Sequence, residues 1–211
     1  MARGKFITLE GGEGVGKTTL VQGLTHELAD RNIDVVVTRE PGGTAGAELL
    51  RDLLLNGEVE RWSARTEALL MYAARVDHVE RCIKPALERG AWVLCDRFAD
   101  STRAYQGVAG GLSGPELAKL ESFALGDFRA DMTLIVDLDP VAGRQRTIER
   151  GEKITRFEKF DIDYHKRLRR AFLEIALEEP ERCVILDGSQ PQEQVLRAAI
   201  EAVDERLAHA A

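Results

Sequence analysis

The 211-residue sequence contains few of the features that mark disulfide-rich or metal-binding proteins. It has three cysteines, Cys82, Cys95 and Cys183, and no Cys-x-x-Cys pair. An odd count at wide spacing argues against a disulfide framework and favours free thiols in a reducing compartment. Cys95 and Cys183 lie in apolar, strand-like runs. A reactive cysteine is the less favoured alternative, because apolar burial raises the pKa of a thiol.

Long apolar runs and an excess of positive charge are also missing. No apolar run reaches the ~18 residues that a membrane span needs, and Met1–Lys5 lead into a short strand-like run without a signal-peptide core. The formal net charge is -7, which argues against a nucleic-acid-binding surface, since such a surface needs clustered Lys and Arg. We therefore expect a cytoplasmic protein with neither a nucleic acid nor a membrane as partner. A local basic pocket for small anions remains compatible with this charge.

Short apolar runs alternate with segments of helical periodicity along the whole chain. The apolar runs are continuous rather than alternating, which is typical of strands buried on both faces of a parallel sheet. The predicted strands are Phe6–Leu9, Val35–Thr38, Ala91–Asp96, Met132–Leu138 and Arg182–Leu186. The predicted helices span about 17–31, 45–55, 66–89, 115–125, 140–150, 164–178 and 192–207. The alternation predicts an α/β fold with a doubly wound five-stranded parallel sheet flanked by helices, in one domain over 1–211.

A glycine-rich loop joins the first predicted strand to the first predicted helix. Its sequence is Gly11-Gly12-Glu13-Gly14-Val15-Gly16-Lys17-Thr18, followed by Thr19, and it matches the phosphate-loop pattern GxxxxGK[ST]. Glycines let successive backbone N–H groups converge on phosphate oxygens, and the helix N-terminus adds partial positive charge. We expect this loop to bind ATP, with Lys17 at the β and γ phosphates and Thr18 on Mg²⁺. The loop predicts a P-loop NTPase fold.

The end of the third predicted strand carries a second candidate phosphate site. The strand is followed by Asp96-Arg97-Phe98. A carboxylate beside the phosphate loop can hold Mg²⁺ directly or through water, and the adjacent guanidinium can clamp a second phosphate. A surface salt bridge is the alternative reading of this pair. The chain has no Asn-Lys-x-Asp segment of the kind that GTPases use to read guanine, so a nucleotide kinase is favoured.

Five segments together resemble bacterial thymidylate kinase in order and spacing, from residue 5 to about residue 205. They are Glu10–Gly14, Thr38-Arg39-Glu40-Pro41-Gly42-Gly43-Thr44, Ala73-Ala74-Arg75, Asp96-Arg97-Phe98 and Ser101-Thr102-Arg103-Ala104-Tyr105-Gln106-Gly107. The resemblance implies Mg²⁺-dependent phosphoryl transfer from ATP to dTMP. It also implies a homodimer formed through helices that include the segment 66–89, although those apolar residues could equally face the sheet.

The resemblance implies a role for each residue that matches the family pattern. Glu40 and Pro41 would flank dTMP near its sugar-phosphate, and Arg51 and Arg97 would bind its phosphate. Arg75, Thr102 and Gln106 would hydrogen-bond the pyrimidine edge, which is how such a site separates thymine from cytosine. Tyr105 would lie against the sugar and oppose a 2′-hydroxyl.

One position departs from the family pattern. The family usually places Phe four residues before the arginine of Ala73-Ala74-Arg75, stacked on thymine, and this chain has Met71 there. Methionine can pack on an aromatic face, so Met71 is the preferred contact. Tyr72 is the alternative, although one helical step rotates it about 100° away.

A basic segment at about 144–158 resembles the lid that closes over ATP in nucleoside monophosphate kinases. It contains Arg144, Arg146, Arg150, Lys153 and Arg156. A solvated helix face is the usual reading of a charge run, but Gly151 interrupts this one. Because Glu13 occupies the phosphate loop, the resemblance implies a catalytic lid arginine. Arg150 is the first choice and Arg146 and Arg156 follow; Thr155 stands where the family usually has Asp.

The segment Asp187-Gly188-Ser189-Gln190-Pro191 follows the last predicted strand. By resemblance it borders the adenine ring, with Gln190 in the ATP site, and a plain strand-to-helix turn is the equal alternative. Two rival functions stay open. A kinase acting on UMP, CMP or AMP is disfavoured by Arg75, Tyr105 and Gln106, whereas Met71 leaves it possible. A binding-only switch would predict loss of Lys17, Arg97 or the lid arginines, and all are present.

Overall fold

The computed structural model describes residues 3–151 and 155–207, without the side chain of Arg150. Its centre is a five-stranded sheet in which every pairing is parallel and the strand order is β2-β3-β1-β4-β5. The strands are β1 (Phe6–Glu10), β2 (Val35–Arg39), β3 (Trp92–Asp96), β4 (Met132–Asp137) and β5 (Cys183–Asp187). The predicted five-stranded parallel sheet is confirmed, and its strand ends lie within one residue of the predicted ones.

Nine α-helices connect or flank these strands within the described residues. They are α1 (Lys17–Asp30), α2 (Ala45–Leu55), α3 (Ala64–His78), α4 (Lys84–Glu88), α5 (Ala99–Thr102), α6 (Gly114–Leu125), α7 (Pro140–Arg150), α8 (Ile162–Glu178) and α9 (Gln192–Leu207). Short 3-10 turns lie at Val59–Arg61 and Phe157–Lys159. None of these helices is both long and apolar enough to cross a membrane.

Two stretches differ from the sequence prediction. The segment predicted as one helix over 66–89 is α3 and α4 joined by a π-helical turn at Val79–Ile83. The stretch Ala99–Ala109, which has no predicted helix, forms α5 and a second π-helical turn, Arg103–Ala109. π-helical turns often occur at functional sites, and the second turn contributes Tyr105 and Gln106 to the lining of a cavity described below.

The sheet is covered on both faces, as continuous apolar strands require. On one face, Leu20, Leu24 and Leu28 of α1 and Val203 of α9 pack against the sheet. On the other face lie α3, α4 and α8, whose buried side chains form two further clusters. All five residues of β1 are buried. This double covering holds the carboxyl ends of β1, β2 and β3 at one edge, where ligands bind in sheets of this kind.

Candidate active site

The phosphate loop turns from β1 into α1 through glycines that no other residue could replace without strain. Gly14 has φ 69° and Gly16, the N-cap of α1, has φ 102°, and both values lie in the left-handed region that favours glycine. A Cβ on Gly14 would overlap the carbonyl oxygen of Gly143 in α7. The loop is therefore held between the sheet edge and α7.

Lys17 is folded back onto its own loop. Its Nζ donates to the carbonyl oxygens of Gly11, at 3.2 Å, and Gly12, at 2.7 Å. Burial lowers the pKa of Lys17. The hydroxyl-bearing Thr18 and Thr19 are exposed at the start of α1, where the helix N-terminus favours anions.

Arg97 holds an unusual backbone conformation next to this loop. Its φ of 74° is left-handed, which costs energy for a residue other than glycine and is typical of functional positions. Its Nη1 donates to Gly11 O at 3.0 Å and Ser101 Oγ at 3.1 Å, and its Nη2 donates to Glu13 Oε1 at 3.0 Å. The guanidinium lies 5.0 Å from the ring centre of Tyr105. Arg97 is thus fixed beside the phosphate loop.

Glu13 is the anion that Arg97 holds in this structure. The Tyr105 hydroxyl donates to Glu13 Oε1 at 2.7 Å. Burial alone would raise the pKa of Glu13, but the charges of Arg97 and Lys17 lower it to about 2. Glu13 is therefore ionised at neutral pH. Its carboxylate is stabilised by Arg97 and Lys17, the two cations that the sequence predicts to bind phosphates.

Asp96 has the properties expected of a residue that holds a cation. Its Oδ1 is buried and has no hydrogen-bond partner among the described residues. A buried carboxylate oxygen without a partner is costly, and a bound cation would remove that cost. The described residues contain no cluster of three or more His, Cys, Asp and Glu suited to a metal. One carboxylate, one hydroxyl and substrate phosphates fit Mg²⁺, which seldom uses an all-protein cage.

A cavity of about 120 Å³ lies between the phosphate loop, the end of β2 and α3; we call it the acceptor cavity. Its lining includes all the residues that the sequence assigns to the phosphate acceptor, namely Glu40, Pro41, Arg51, Met71, Arg75, Arg97, Thr102, Tyr105 and Gln106. The structure therefore brings together residues from four separate motifs. Arg51 reaches this cavity from α2, and its Nη1 donates to Pro41 O at 2.6 Å.

Arg75 is buried at the acceptor cavity, with 1% of its surface exposed. Its Nε donates to Glu40 Oε2 at 2.6 Å, and its Nη2 donates to Phe98 O at 3.0 Å and Thr102 Oγ1 at 3.1 Å. Its Nη1 is buried and has no partner among the described residues. The guanidinium lies 4.6 Å from the ring centre of Tyr72 and 5.2 Å from that of Phe98. Arg75 thus lines the cavity and carries one donor nitrogen, Nη1, that has no partner among the described residues.

Gln106 is the second polar group of the cavity that is held by a buried carboxylate. Its Nε2 donates to Glu67 Oε2 at 2.9 Å, and Glu67 Oε1 accepts from Arg156 Nη2 at 2.5 Å. Since the amide nitrogen is engaged by Glu67, the amide oxygen is the end of Gln106 left to accept a hydrogen bond.

Comparison with known proteins agrees with this geometry. The family model described as "Thymidylate kinase" matches residues 9–199. The chain belongs to the thymidylate kinase family. It is 51% identical over 207 residues to a thymidylate kinase of Caulobacter vibrioides, covering 98% of this chain and 99% of that one. It is 48% identical over 207 residues to one from Bradyrhizobium sp. strain ORS 278, covering 97% and 92% of the two chains.

A solved structure of a thymidylate kinase shows the same fold. The crystal structure of thymidylate kinase from Ehrlichia chaffeensis superposes with a TM-score of 0.79 at 31% identity, covering 95% of this chain and 99% of that one. The resemblance drawn from the sequence motifs is confirmed, and so is the α/β P-loop fold class.

In this member of the thymidylate kinase family, Met71 and Tyr72 are the two candidates for the contact with the base, and the structure favours Met71. Met71 lines the acceptor cavity. Tyr72 is buried in the core, and its hydroxyl donates to Glu121 Oε2 at 2.8 Å. Tyr72 therefore faces away from the cavity lining, and Met71 stays the predicted base contact.

The basic segment of this family member divides into residues with different surroundings. Arg144 lines a larger cavity of about 510 Å³ between the phosphate loop, α7 and α8. Arg146 is exposed, and its Nη1 donates to Gly188 O at 3.2 Å. The side chain of Arg150 and the whole of Lys153 lie outside the described residues, so the first choice for the lid arginine stays a prediction.

Arg156 requires a correction. Its side chain is 1% exposed, and its three nitrogens donate to Leu54 O at 3.0 Å, Val59 O at 2.8 Å and Glu67 Oε1 at 2.5 Å. It lines neither cavity. Arg156 therefore joins the end of the lid segment to α2 and α3. This structural contact replaces the catalytic role that the sequence predicted for Arg156.

Gln190 forms part of a local turn. Its Nε2 donates to Asp187 Oδ2 at 2.8 Å, and Ser189 N donates to Asp187 Oδ1 at 2.9 Å. The strand-to-helix turn that the sequence left as an alternative is therefore present. Arg146 also donates to Gly188 O in this turn. An adenine-binding role for Gln190 stays a prediction.

Several residues of the site escaped the sequence reasoning. Ser101, Leu55, Phe98 and Phe157 also line the acceptor cavity, and Ser101 could have been found because it begins a recognised motif. Cys95 and Cys183 are buried as expected, but Cys82 is only partly buried. A hydrogen bond with His78 lowers the pKa of Cys82, and no sequence pattern indicated that contact.

Proposed function

We propose that this chain is a thymidylate kinase that transfers the γ-phosphoryl group of ATP to dTMP, giving ADP and dTDP, with Mg²⁺ as cofactor. The observation that carries the proposal is the pair of polar groups in the acceptor cavity. Arg75 offers a free donor, and the bond from Gln106 to Glu67 leaves the amide oxygen of Gln106 as an acceptor.

This pattern matches the hydrogen-bonding edge of thymine. Thymine presents the O4 acceptor beside the N3–H donor, whereas cytosine presents an amino donor beside an N3 acceptor. A site built to pair one pattern rejects the reverse one strongly, because its buried polar groups are left without partners. Met71, which also lines the cavity, supplies the apolar contact with the face of the base.

The phosphate end of the cavity supports direct in-line transfer. Arg51 and Arg97 line the cavity and would bind the dTMP phosphate, while Lys17 would release its loop carbonyls and bind the ATP phosphates. Mg²⁺, held by Thr18 and Asp96, would neutralise charge on the transferred group. A phosphate oxygen of dTMP is already a competent nucleophile at neutral pH, so no general base is needed.

The arrangement around Glu13 supports a substrate-driven rearrangement of Arg97. Arg97 is shared between Glu13, Ser101 and a loop carbonyl. A doubly charged phosphate competes for the guanidinium with a singly charged carboxylate and offers bidentate contacts. Binding of dTMP would thus separate Arg97 from Glu13. Closure of the lid, with Arg150 as the proposed catalytic arginine, would then exclude water.

The proposed assembly is a homodimer formed through α2, α3 and α6. These helices carry large apolar side chains that are exposed in the single chain, namely Leu49, Leu53, Leu69 and Phe123. Covering them against a second copy would remove this apolar surface from water. The proposed location is the cytoplasm, where ATP is abundant and thiols stay reduced.

The first test is a coupled ADP-release assay with ATP, Mg²⁺ and a panel of dTMP, dUMP, UMP, CMP and AMP. A strong preference for dTMP is the expected result. A preference for a ribonucleotide would keep the mechanism but reject the roles given to Arg75, Tyr105 and Gln106. Nucleotide binding with no phosphoryl transfer to any acceptor would favour the binding-only alternative.

A further inference from the structure

A buried chain of hydrogen bonds extends from the acceptor cavity to a residue that does not line it. Glu40 accepts from Arg75 Nε on Oε2, and its other oxygen, Oε1, lies 3.0 Å from His78 Nδ1. On the far side of the ring, His78 Nε2 lies 2.7 Å from Thr38 Oγ1. His78 is fully buried and Glu40 is 5% exposed, so water cannot replace either contact.

Glu40 needs His78 in order to hold Arg75. A buried carboxylate oxygen without a donor is costly, and His78 is the side chain that bonds Oε1. Without the His78 donor, the Glu40 carboxylate would be more stable in a rotated orientation that gives Oε1 a new partner. Arg75 Nε would then lose its acceptor at 2.6 Å. The direction of the free Nη1 of Arg75 depends on that contact, because the guanidinium is rigid and planar.

His78 also supports the loop that carries Pro41 into the acceptor cavity. Gly43 has φ 87°, and a Cβ at that position would overlap the ring of His78 and the hydroxyl oxygen of Thr38. The loop backbone therefore lies directly on the imidazole. One ring fixes both the loop after β2 and the carboxylate that aims Arg75.

We propose that His78 is a positioning residue for recognition of the nucleobase: through Glu40 it fixes the direction in which Arg75 points into the acceptor cavity. The inference rests on the proposed function of that cavity as the dTMP site. His78 touches no substrate, so its effect is expected on dTMP binding and base selectivity, with little effect on ATP.

The charge state of the ring fits this role. Burial by itself would lower the pKa of His78, but hydrogen bonds with Cys82 and Glu40 raise it to about 9. The raised pKa favours the charged ring at neutral pH, in which both nitrogens carry an N–H. In that state Nδ1 donates to Glu40 and Nε2 donates to Thr38.

The test compares the steady-state kinetics of wild type, His78→Leu and His78→Asn, with dTMP, ATP and dCMP varied in turn. Leucine removes both ring nitrogens, whereas asparagine keeps an N–H close to the position of Nδ1. For His78→Leu we expect KM for dTMP to rise about tenfold and the preference for dTMP over dCMP to fall by a similar factor. KM for ATP should stay within about twofold, which separates lost acceptor binding from general damage. His78→Asn should recover most of the loss.

Val79→Ala is the matched control, because Val79 is a buried neighbour that packs in the core beside Tyr72. It should lower Tm and leave KM for dTMP unchanged. If His78→Leu behaves like this control, or if KM for dTMP and for ATP rise together, His78 is merely structural and the inference fails.

If His78→Leu does not fold, Thr38→Val serves instead: it should raise KM for dTMP about fivefold, and an unchanged KM would contradict the inference. Wild type without dTMP turnover would reject the proposed function itself, before any variant is compared.

Discussion

Arg75 is held by partners from three different segments of the chain: the loop after β2, the end of β3 and α5. A lysine has no planar fork and cannot satisfy these partners together. For Arg75→Lys we expect KM for dTMP to rise about 10²-fold, with a smaller change for ATP, in the ADP-release assay. Arg81→Lys is the control, because Arg81 is exposed in the π-helical turn that follows α3; equal effects of the two substitutions would contradict the prediction.

His78 also predicts a pH dependence of stability. Its pKa is raised in the folded chain, from an ordinary value of 6.5 to about 9, so it stabilises the fold fully below pH 6.5 and that contribution is lost as pH rises through 9. The loss is at most about 3 kcal/mol. Urea denaturation at pH 6 and pH 9.5 measures it. The hydrogen bond with His78 also lowers the pKa of the Cys82 thiol, so the comparison is with His78→Asn, in which most of this pH dependence should disappear.

Substitution of Asp96 is expected to lower activity without lowering stability. Because its buried Oδ1 has no hydrogen-bond partner among the described residues, Asp96→Asn should leave Tm unchanged or raise it. Turnover should fall about 10²-fold or more, and the Mg²⁺ concentration needed for half-maximal activity should increase. Asp77→Asn is the contrasting variant: its carboxylate accepts from Thr44 and Arg81, so it should lower Tm and leave the Mg²⁺ requirement unchanged. A strongly destabilised Asp96→Asn would argue against the metal role.

At the residue scale, the sequence predicts contacts that follow from local spacing and misses those between distant segments. Lys17, Thr18 and Arg97 follow directly from motifs next to strand ends. Arg156 reads as one more charge of a basic run, because nothing near it shows that it pairs with Glu67, 89 residues earlier. The same is true of His78, whose partners lie in the loop and strand of residues 38–40.

At the scale of elements, predictions fail where a buried helix face is polar. The stretch Ala99–Ala109 buries Asp100, Ser101, Thr102 and Gln106, so it lacks the apolar periodicity that marks a helix. Those side chains are buried because they bond Glu10, Arg75, Glu67 and Arg182. The missed helical stretch therefore carries Thr102, Tyr105 and Gln106, which are proposed to contact the base and the sugar.

The lid segment gives a prediction in which three arginines have different outcomes. Arg150→Ala should lower kcat about 10³-fold or more if this residue acts as an arginine finger. Arg156→Met should instead lower the free energy of unfolding by about 3–5 kcal/mol, since it leaves Glu67 buried without its cation. Arg146→Ala tests the next choice: it should lower kcat less than Arg150→Ala does and leave the free energy of unfolding nearly unchanged, because Arg146 is exposed. Gln145→Ala, at an exposed position of the same helix, is the control for both quantities. The measurements are single-turnover kinetics and urea denaturation; turnover like that of wild type in Arg150→Ala would reject the choice of lid arginine.

At the scale of the whole molecule, the parallel topology explains why the two proposed substrate sites lie at one edge of the sheet. Strand β1 lies between β3 and β4, so the phosphate loop that follows β1 lies next to Asp96 and Arg97 at the end of β3. The loop after β2 and helix α3 then close the acceptor cavity on the side away from α1. The alternation of strands and helices predicts a parallel sheet, and right-handed crossovers leave few alternative topologies. The strand order that makes β1 and β3 neighbours comes from the structure.

The apolar face formed by α2, α3 and α6 predicts the oligomeric state. Phe123 is 90% exposed and Leu69 is 53% exposed in the single chain, and both would be covered in the proposed homodimer. Sedimentation velocity should give twice the mass of one chain for wild type and the mass of a single chain for a Leu69→Glu, Phe123→Glu double variant, because buried charges without partners oppose association. Leu177→Glu is the matched control, since Leu177 is 76% exposed on α8, away from this face.

Because α3 also carries Met71 and Arg75, loss of the dimer should raise KM for dTMP as well; a monomeric wild type with full activity would show instead that α3 needs no support from a second copy.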